Sequence, residues 1–144
     1  MTPGVTLGLD YGRKRIGVAV STLLGTVHSR PRLERTTLER DLAALAGLVE
    51  ETGAATIVIG LPHHMDGTTS EMEREVRRFA VVLAAACGVP VYGSDERLTS
   101  EAAEQILRAR EVRGRARRER RDSAAASLVL QDFLGAGNDG ERIA

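Results

Sequence analysis

Asp10 closes an apolar, strand-like run, Gly8-Leu9-Asp10-Tyr11-Gly12, and Arg13, Lys14 and Arg15 follow at once. A buried strand ending there would carry a carboxylate to the surface beside cationic groups. There it could bind a divalent metal facing a phosphate. An Asp before Gly in a strand-turn-strand connection also serves turn hydrogen bonding, so Asp10 alone leaves both roles open. Two further acidic positions bear on the choice. Asp95 and Glu96 follow another β-rich run, Val89 to Ser94, although charged residues after strands are commonly solvated loop. Asp122 opens a helical pattern in which Ala125, Ala126, Val129 and Phe133 share its stripe, so its carboxylate leaves along the sheet-facing side. The helix dipole would also favour an Asp there.

Three acidic groups brought together would repel one another and lose hydration unless something cationic sat between them. Oxygen-only ligands, with no His or Cys at ligand spacing, favour hard Mg²⁺ or Mn²⁺ over zinc. Two such ions about 4 Å apart can activate a water and stabilise the leaving oxygen of a phosphodiester. The chemistry implied is that of a nuclease.

The elements that must position these groups follow from patterning. Val5 to Asp10 and Ile16 to Ser21 read as a β-hairpin, with a weaker third strand over Thr26 to Leu33. Thr37 can cap a helix carrying Leu38, Leu42, Leu45 and Val49 on one face, ending at Gly53. Thr56-Ile57-Val58-Ile59-Gly60 has the continuous apolar character of a central strand buried on both faces. Ser70-Glu71-Met72-Glu73 is a capping box opening a second helix, with Met72, Val76, Phe79, Leu83 and Ala86 at helical spacing up to Gly88. Val89 to Ser94 gives a fifth strand, Thr99 or Ser100 caps a third helix, and Ser123 to Leu134 forms a last one closed by Gly135. The expectation is an α/β domain over residues 1–136, with a mixed five-stranded sheet covered by helices on both faces and a polar tail over 137–144. Sites in such sheets form where strand ends converge.

At 144 residues the chain suits one domain with its own core. Formal charge is zero, so attraction to nucleic acid must come from local concentration of charge. From Arg108 to Arg121 there are eight Arg against Glu111 and Glu119, a local excess of about six positive charges. This segment could track a phosphate backbone beside Asp122, with Arg13, Lys14, Arg97, Arg117, Arg118 and Arg121 as the candidate contacts. Only Tyr11, Tyr92, Phe79 and Phe133 are aromatic, which favours shape and backbone reading over base stacking. Cys87, the single cysteine, excludes an intramolecular disulfide and reads as core packing. No apolar run approaches a membrane span and no signal-peptide core is apparent, so a cytoplasmic protein is expected. His63 and His64, adjacent in an extended loop, read as solvated rather than metal-binding.

Gly8-Leu9-Asp10-Tyr11-Gly12, with Lys14-Arg15-Ile16-Gly17-Val18-Ala19, resembles the opening of the YqgF or RuvX family. So do Gly60-Leu61-Pro62, Met65-Asp66-Gly67-Thr68, Arg78-Phe79-Ala80, Asp95-Glu96-Arg97-Leu98-Thr99, and Asp122-Ser123-Ala124-Ala125 with Leu130-Gln131-Asp132-Phe133-Leu134, all in family order from about residue 5 to 134. The resemblance implies a ribonuclease H-like fold and maturation of the 5′ end of pre-16S ribosomal RNA, with similarity to Holliday-junction resolvases. By position it implies that Asp10 is the first-strand metal ligand, Asp95-Glu96 the second acidic position with Glu96 preferred, and Asp122 the ligand on the final helix. Mg²⁺ or Mn²⁺ would be the cofactor, and structured RNA the substrate, with branched DNA as rival and pre-ribosomal particles as partners. The chain departs from the family pattern at Thr22, where an acidic residue is usual, at Ser70 in place of glycine, and at Arg120-Arg121, where a lysine usually precedes the final Asp.

Two other classes follow from the same residues. One is a non-catalytic RNA-binding factor of ribosome assembly. The other is a nucleotide binder, from the likeness of Gly8 to Gly12 to the first phosphate loop of actin-like ATPases, against which the chain is too short to hold a second lobe. A monomer or weak homodimer is expected, although resolvase-like action would call for two active sites.

Overall fold

The computed structural model describes residues 4–62, 70–95, 121–135 and 140–144, and only the backbone at position 95 and at positions 121–123. In chain order these form β1 (Val5–Asp10), β2 (Arg15–Ser21), β3 (Val27–Glu34), α1 (Leu38–Thr52), β4 (Ala54–Leu61), α2 (Glu71–Cys87), β5 (Val91–Asp95), α3 (Arg121–Gly135) and β6 (Glu141–Arg142). They build one sheet of order β3-β2-β1-β4-β5-β6. The β1-β2-β3 meander is antiparallel, β4 lies parallel to β1 and β5 on either side, and β6 closes antiparallel on β5.

The expected hairpin, the central strand and the ends of the first two helices form. Thr37 Oγ1 accepts from Arg40 N and Ser70 Oγ from Glu73 N, satisfying amides that the first helical turn leaves open. Gly53 and Gly88 close α1 and α2 at φ +70°, a conformation that side chains with a Cβ rarely adopt.

Among the described residues the sheet has six strands rather than the expected five. The sixth comes from the segment expected to be a polar tail: Ile143 N donates to Val91 O, and Ile143 packs against the main core. A two-residue strand carries too little alternation to register as a sequence pattern, and it exists only because β5 offers an open edge.

Strand alternation divides the core in two. Leu7, Leu9, Ile57, Ile59, Leu61 and Val91 meet Leu45 and Val49 of α1 and Val76, Phe79 and Leu83 of α2. On the other face Ala19 and Val58 meet Ala126, Val129, Leu130 and Phe133 of α3. Gly8 permits the close approach of α3, since a Cβ there would stand 2.8 Å from Leu130 Cβ and 3.1 Å from Ala126 O. The third helix expected after Thr99 or Ser100 lies outside the described residues.

Candidate active site

Asp10 ends β1, and its face follows from parity. Leu7 and Leu9 belong to the α1/α2 core while Gly8 lies under Leu130, so Asp10 leaves on the α3 side. Its antiparallel partner is Gly17. The β1–β4 register ends at Leu9↔Ile59, and one residue further brings Asp10 into the row of Gly60, which pairs with Ser94. Asp10 is therefore flanked on both neighbouring strands by glycine, Gly17 on β2 and Gly60 on β4. Ser94 lies two strands away, about 10 Å across the sheet, and donates its hydroxyl to Asp132 Oδ2 of α3 at 3.2 Å.

Just beyond Asp10 the chain turns to the other face and is bound there. Tyr11 packs on the α1/α2 core, its ring 5.0 Å from Phe79 and its hydroxyl donating to Glu75 Oε2 at 2.5 Å. Arg13 donates to the same carboxylate, with Nη2 3.0 Å from Oε1. Arg13, and then Tyr11, hold the Glu75 carboxyl below the usual carboxylate range. Burial, reinforced by Glu75, pushes the Tyr11 hydroxyl up.

Several candidate positions can be compared with this geometry. Asp10, Arg13 and Lys14 lie together at the C-terminal end of β1. Arg13, a candidate for phosphate contact, is engaged with Glu75 while its side chain remains 62% exposed. Asp95 ends β5, paired with Leu61 on the parallel strand β4, so the backbones of β1, β4 and β5 all end on one edge of the sheet. Asp122 and Arg121 belong to the first turn of α3, one turn before Ala126, whose carbonyl overlies Gly8. Glu96, Arg97, Arg117, Arg118, His63 and His64 lie outside the described residues. Ser70 Oγ donates to Pro62 O at 2.8 Å, which ties together the two ends of the loop after β4.

Among the described residues no three His, Cys, Asp or Glu side chains form a metal-holding group. The side chains of the other candidate carboxylates, Asp95, Glu96 and Asp122, lie outside the described residues. What is visible suits a hard cation: an oxygen donor at a strand end, glycine on both sides, and no His or Cys in its sheet row. Glu75 and Arg35, partners of the Tyr11 turn, were missed from sequence. The only available signal was the helical spacing of Glu75 and Phe79, which is shared by many exposed pairs.

No described helix is long and apolar enough to cross a membrane. Among known proteins, the chain is 43% identical over 135 residues to a protein of a Picosynechococcus species named "Putative pre-16S rRNA nuclease", covering 93% of this chain and 94% of that one. A protein of the same name from Burkholderia ambifaria is 44% identical over 140 residues, 94% of this chain and 91% of the relative. Of solved structures, RuvC of T. thermophilus in complex with a Holliday junction substrate superposes with a TM-score of 0.63 at 15% identity, over 96% of this chain and 99% of that chain. Uncomplexed Thermus thermophilus RuvC gives 0.59 at 14% identity, with the same coverage. The fold is thus the ribonuclease H-like α/β fold of RuvC. The family model described as RuvX, Holliday junction resolvase, matches residues 4–136, and with relatives above 40% identity along nearly the whole chain, this protein belongs to the RuvX family.

Proposed function

We propose that this protein is a metal-dependent nuclease that hydrolyses phosphodiester bonds in structured RNA, with 5′-end maturation of pre-16S ribosomal RNA as its role in the cytoplasm. The observation that carries this reading is the setting of Asp10: a carboxylate at the end of β1, on the face covered by α3, between Gly17 and Gly60. Curated relatives bearing a pre-16S rRNA nuclease name support RNA as the substrate.

Asp10, Glu96 and Asp122 would hold Mg²⁺ or Mn²⁺. Of the pair Asp95-Glu96, Glu96 is taken as the second ligand; Ser94, just before the pair, has its hydroxyl on the α3 side, bound to Asp132. A divalent ion held there supplies charge neutralisation at the scissile phosphate and a more acidic water, with two ions as the fuller form. The three carboxylates would hold the ion, whose charge would offset their mutual repulsion and their repulsion of the substrate phosphate. Arg13 and Lys14 in the turn after Asp10, with Arg97, Arg117, Arg118 and Arg121, would bear on flanking phosphates, Arg13 from its exposed ion pair with Glu75. Affinity is then largely independent of sequence and falls steeply with salt. The free protein is a monomer or weak homodimer.

The test is cleavage of pre-16S leader RNA and of four-way DNA junctions with Mg²⁺ or Mn²⁺, by the wild type and by Asp10→Asn. Cleavage of leader RNA that Asp10→Asn loses by a factor of about 10³ or more supports the reading. Junction cleavage alone would transfer the same chemistry to branched DNA, as the family description has it. RNA binding and maturation unchanged in Asp10→Asn would make the protein a non-catalytic assembly factor.

A further inference from the structure

Arg35 follows β3 and is remote in sequence from every acidic candidate, yet it converges on the turn that leaves Asp10. Its backbone N–H donates to Lys14 O at 2.9 Å and its Nη1 to Gly12 O at 3.1 Å. Its guanidinium carbon stands 5.0 Å from the centre of the Tyr11 ring and 5.2 Å from that of Phe79. Nε donates to Asp41 Oδ2 at 3.0 Å, and the other oxygen of Asp41 accepts from Thr36 N, also at 3.0 Å. The Arg35 side chain is 14% exposed and that of Asp41 2%. A buried charge pair is weak evidence of stabilisation, because loss of hydration offsets much of its attraction. What this pair provides is direction: a rigid fork that spans from the start of α1 to the carbonyl two residues after Asp10.

We infer that Arg35 is a positioning residue for Asp10: it clamps Tyr11 and Gly12 to the α1/α2 face and thereby holds the Asp10 carboxylate on the α3 face in one orientation. The mechanism is strand parity. Tyr11 held on one face by Arg35, Phe79 and Glu75 forces the preceding side chain to the other, and a fixed Gly12 carbonyl removes the peptide rotation by which the end of β1 could untwist. Partners hydrogen-bonded directly to a ligand are commonly worth about 10- to 100-fold in metal affinity, and a clamp acting through the neighbouring backbone falls at the lower end. The inference rests on the metal-site reading of Asp10 given above.

The test uses the full chain with Arg35→Gln and Arg35→Lys, with Asp10→Asn as the reference for a lost ligand. Three quantities are measured: thermal unfolding, amide hydrogen exchange of residues 11–15 against that of β4, and Mn²⁺ affinity from the spin-resonance signal of the free ion. In Arg35→Gln, exchange over 11–15 is expected to accelerate about tenfold with β4 unchanged, and the Mn²⁺ dissociation constant to rise about tenfold. Arg35→Lys keeps the charge beside Asp41 but cannot present the planar fork, so it recovers thermal stability without recovering Mn²⁺ affinity. Wild-type exchange over 11–15 and wild-type Mn²⁺ affinity in a folded Arg35→Gln overturn the inference. Should that variant fail to fold, the same result in Arg35→Lys overturns it. If the wild type binds Mn²⁺ no better than Asp10→Asn, the metal reading fails on its own, and the exchange over 11–15 still decides whether the clamp exists.

Discussion

Replacing Gly8 with Ala adds one methyl group where β1 passes under α3. The added Cβ would lie 2.8 Å from Leu130 Cβ and 3.1 Å from Ala126 O, both fixed to the helix backbone, so no side-chain rotation relieves the clash and α3 itself must move by several tenths of an ångström. Overpacking of this kind costs about 1–3 kcal/mol. Against it stands roughly 0.5–1 kcal/mol gained because Ala loses less backbone freedom than Gly on folding. The net loss of up to about 2.5 kcal/mol, centred on about 1 kcal/mol, at roughly 3 °C per kcal/mol for a domain of this length, lowers the unfolding midpoint by about 4 °C and at most about 8 °C. Gly47, on the exposed side of α1 with nothing within 4 Å of its notional Cβ, provides the control: Gly47→Ala is expected to raise stability by about 0.5–1 kcal/mol. Thermal and urea unfolding of the two variants measures both signs. Because α3 begins at Arg121–Asp122, its displacement also moves a proposed ligand, and misplacement by about 1 Å can cost on the order of 10²-fold in rate. A Gly8→Ala protein more stable than the wild type, as Gly47→Ala is expected to be, would refute the close-approach argument for α3.

Two further outcomes follow from the ionisable groups. The Glu75 carboxyl is held below its ordinary value by Arg13 and Tyr11, so its contribution to stability is present above the unfolded-state carboxylate value and disappears as pH falls through the lower folded value. Urea unfolding from pH 6 to pH 3 should therefore show the wild type losing its advantage over Glu75→Gln only at the acidic end, and a constant difference across the range would contradict the pairing. Burial pushes the Cys87 thiol up, so it should alkylate at least tenfold more slowly than a free thiol at pH 7.5 and catch up in denaturant. Equal rates in native and denatured protein would rule out its packing against the α2 core.

The reach of sequence reading differed element by element. Thr37, Gly53, Ser70 and Gly88 marked helix ends correctly because caps are local: the side chain or left-handed residue acts on a backbone group three or four positions away. The apolar run of β4 announced a strand covered on both sides, and both cores meet there. The sheet-facing stripe of the last helix was right in Ala126, Val129 and Phe133, but it omitted Leu130, the residue that lies over Gly8. The β6 strand and the Arg35 clamp escaped altogether. Each is a contact between segments far apart in sequence, and nothing in the neighbours of Ile143 or Arg35 encodes the partner.

Asp10 shows where the boundary falls. From residues alone came its chemical type, its place at a strand end, its company of cations and its family, because composition and motif spacing are properties of the chain. Only the folded sheet decided that Gly17 and Gly60 flank it, that α3 covers its face, and that Tyr11 is pinned to the opposite side by Arg35, Phe79 and Glu75. Register and parity are set by the pairing of whole strands, and a shift of one residue would send the same carboxylate into the apolar core.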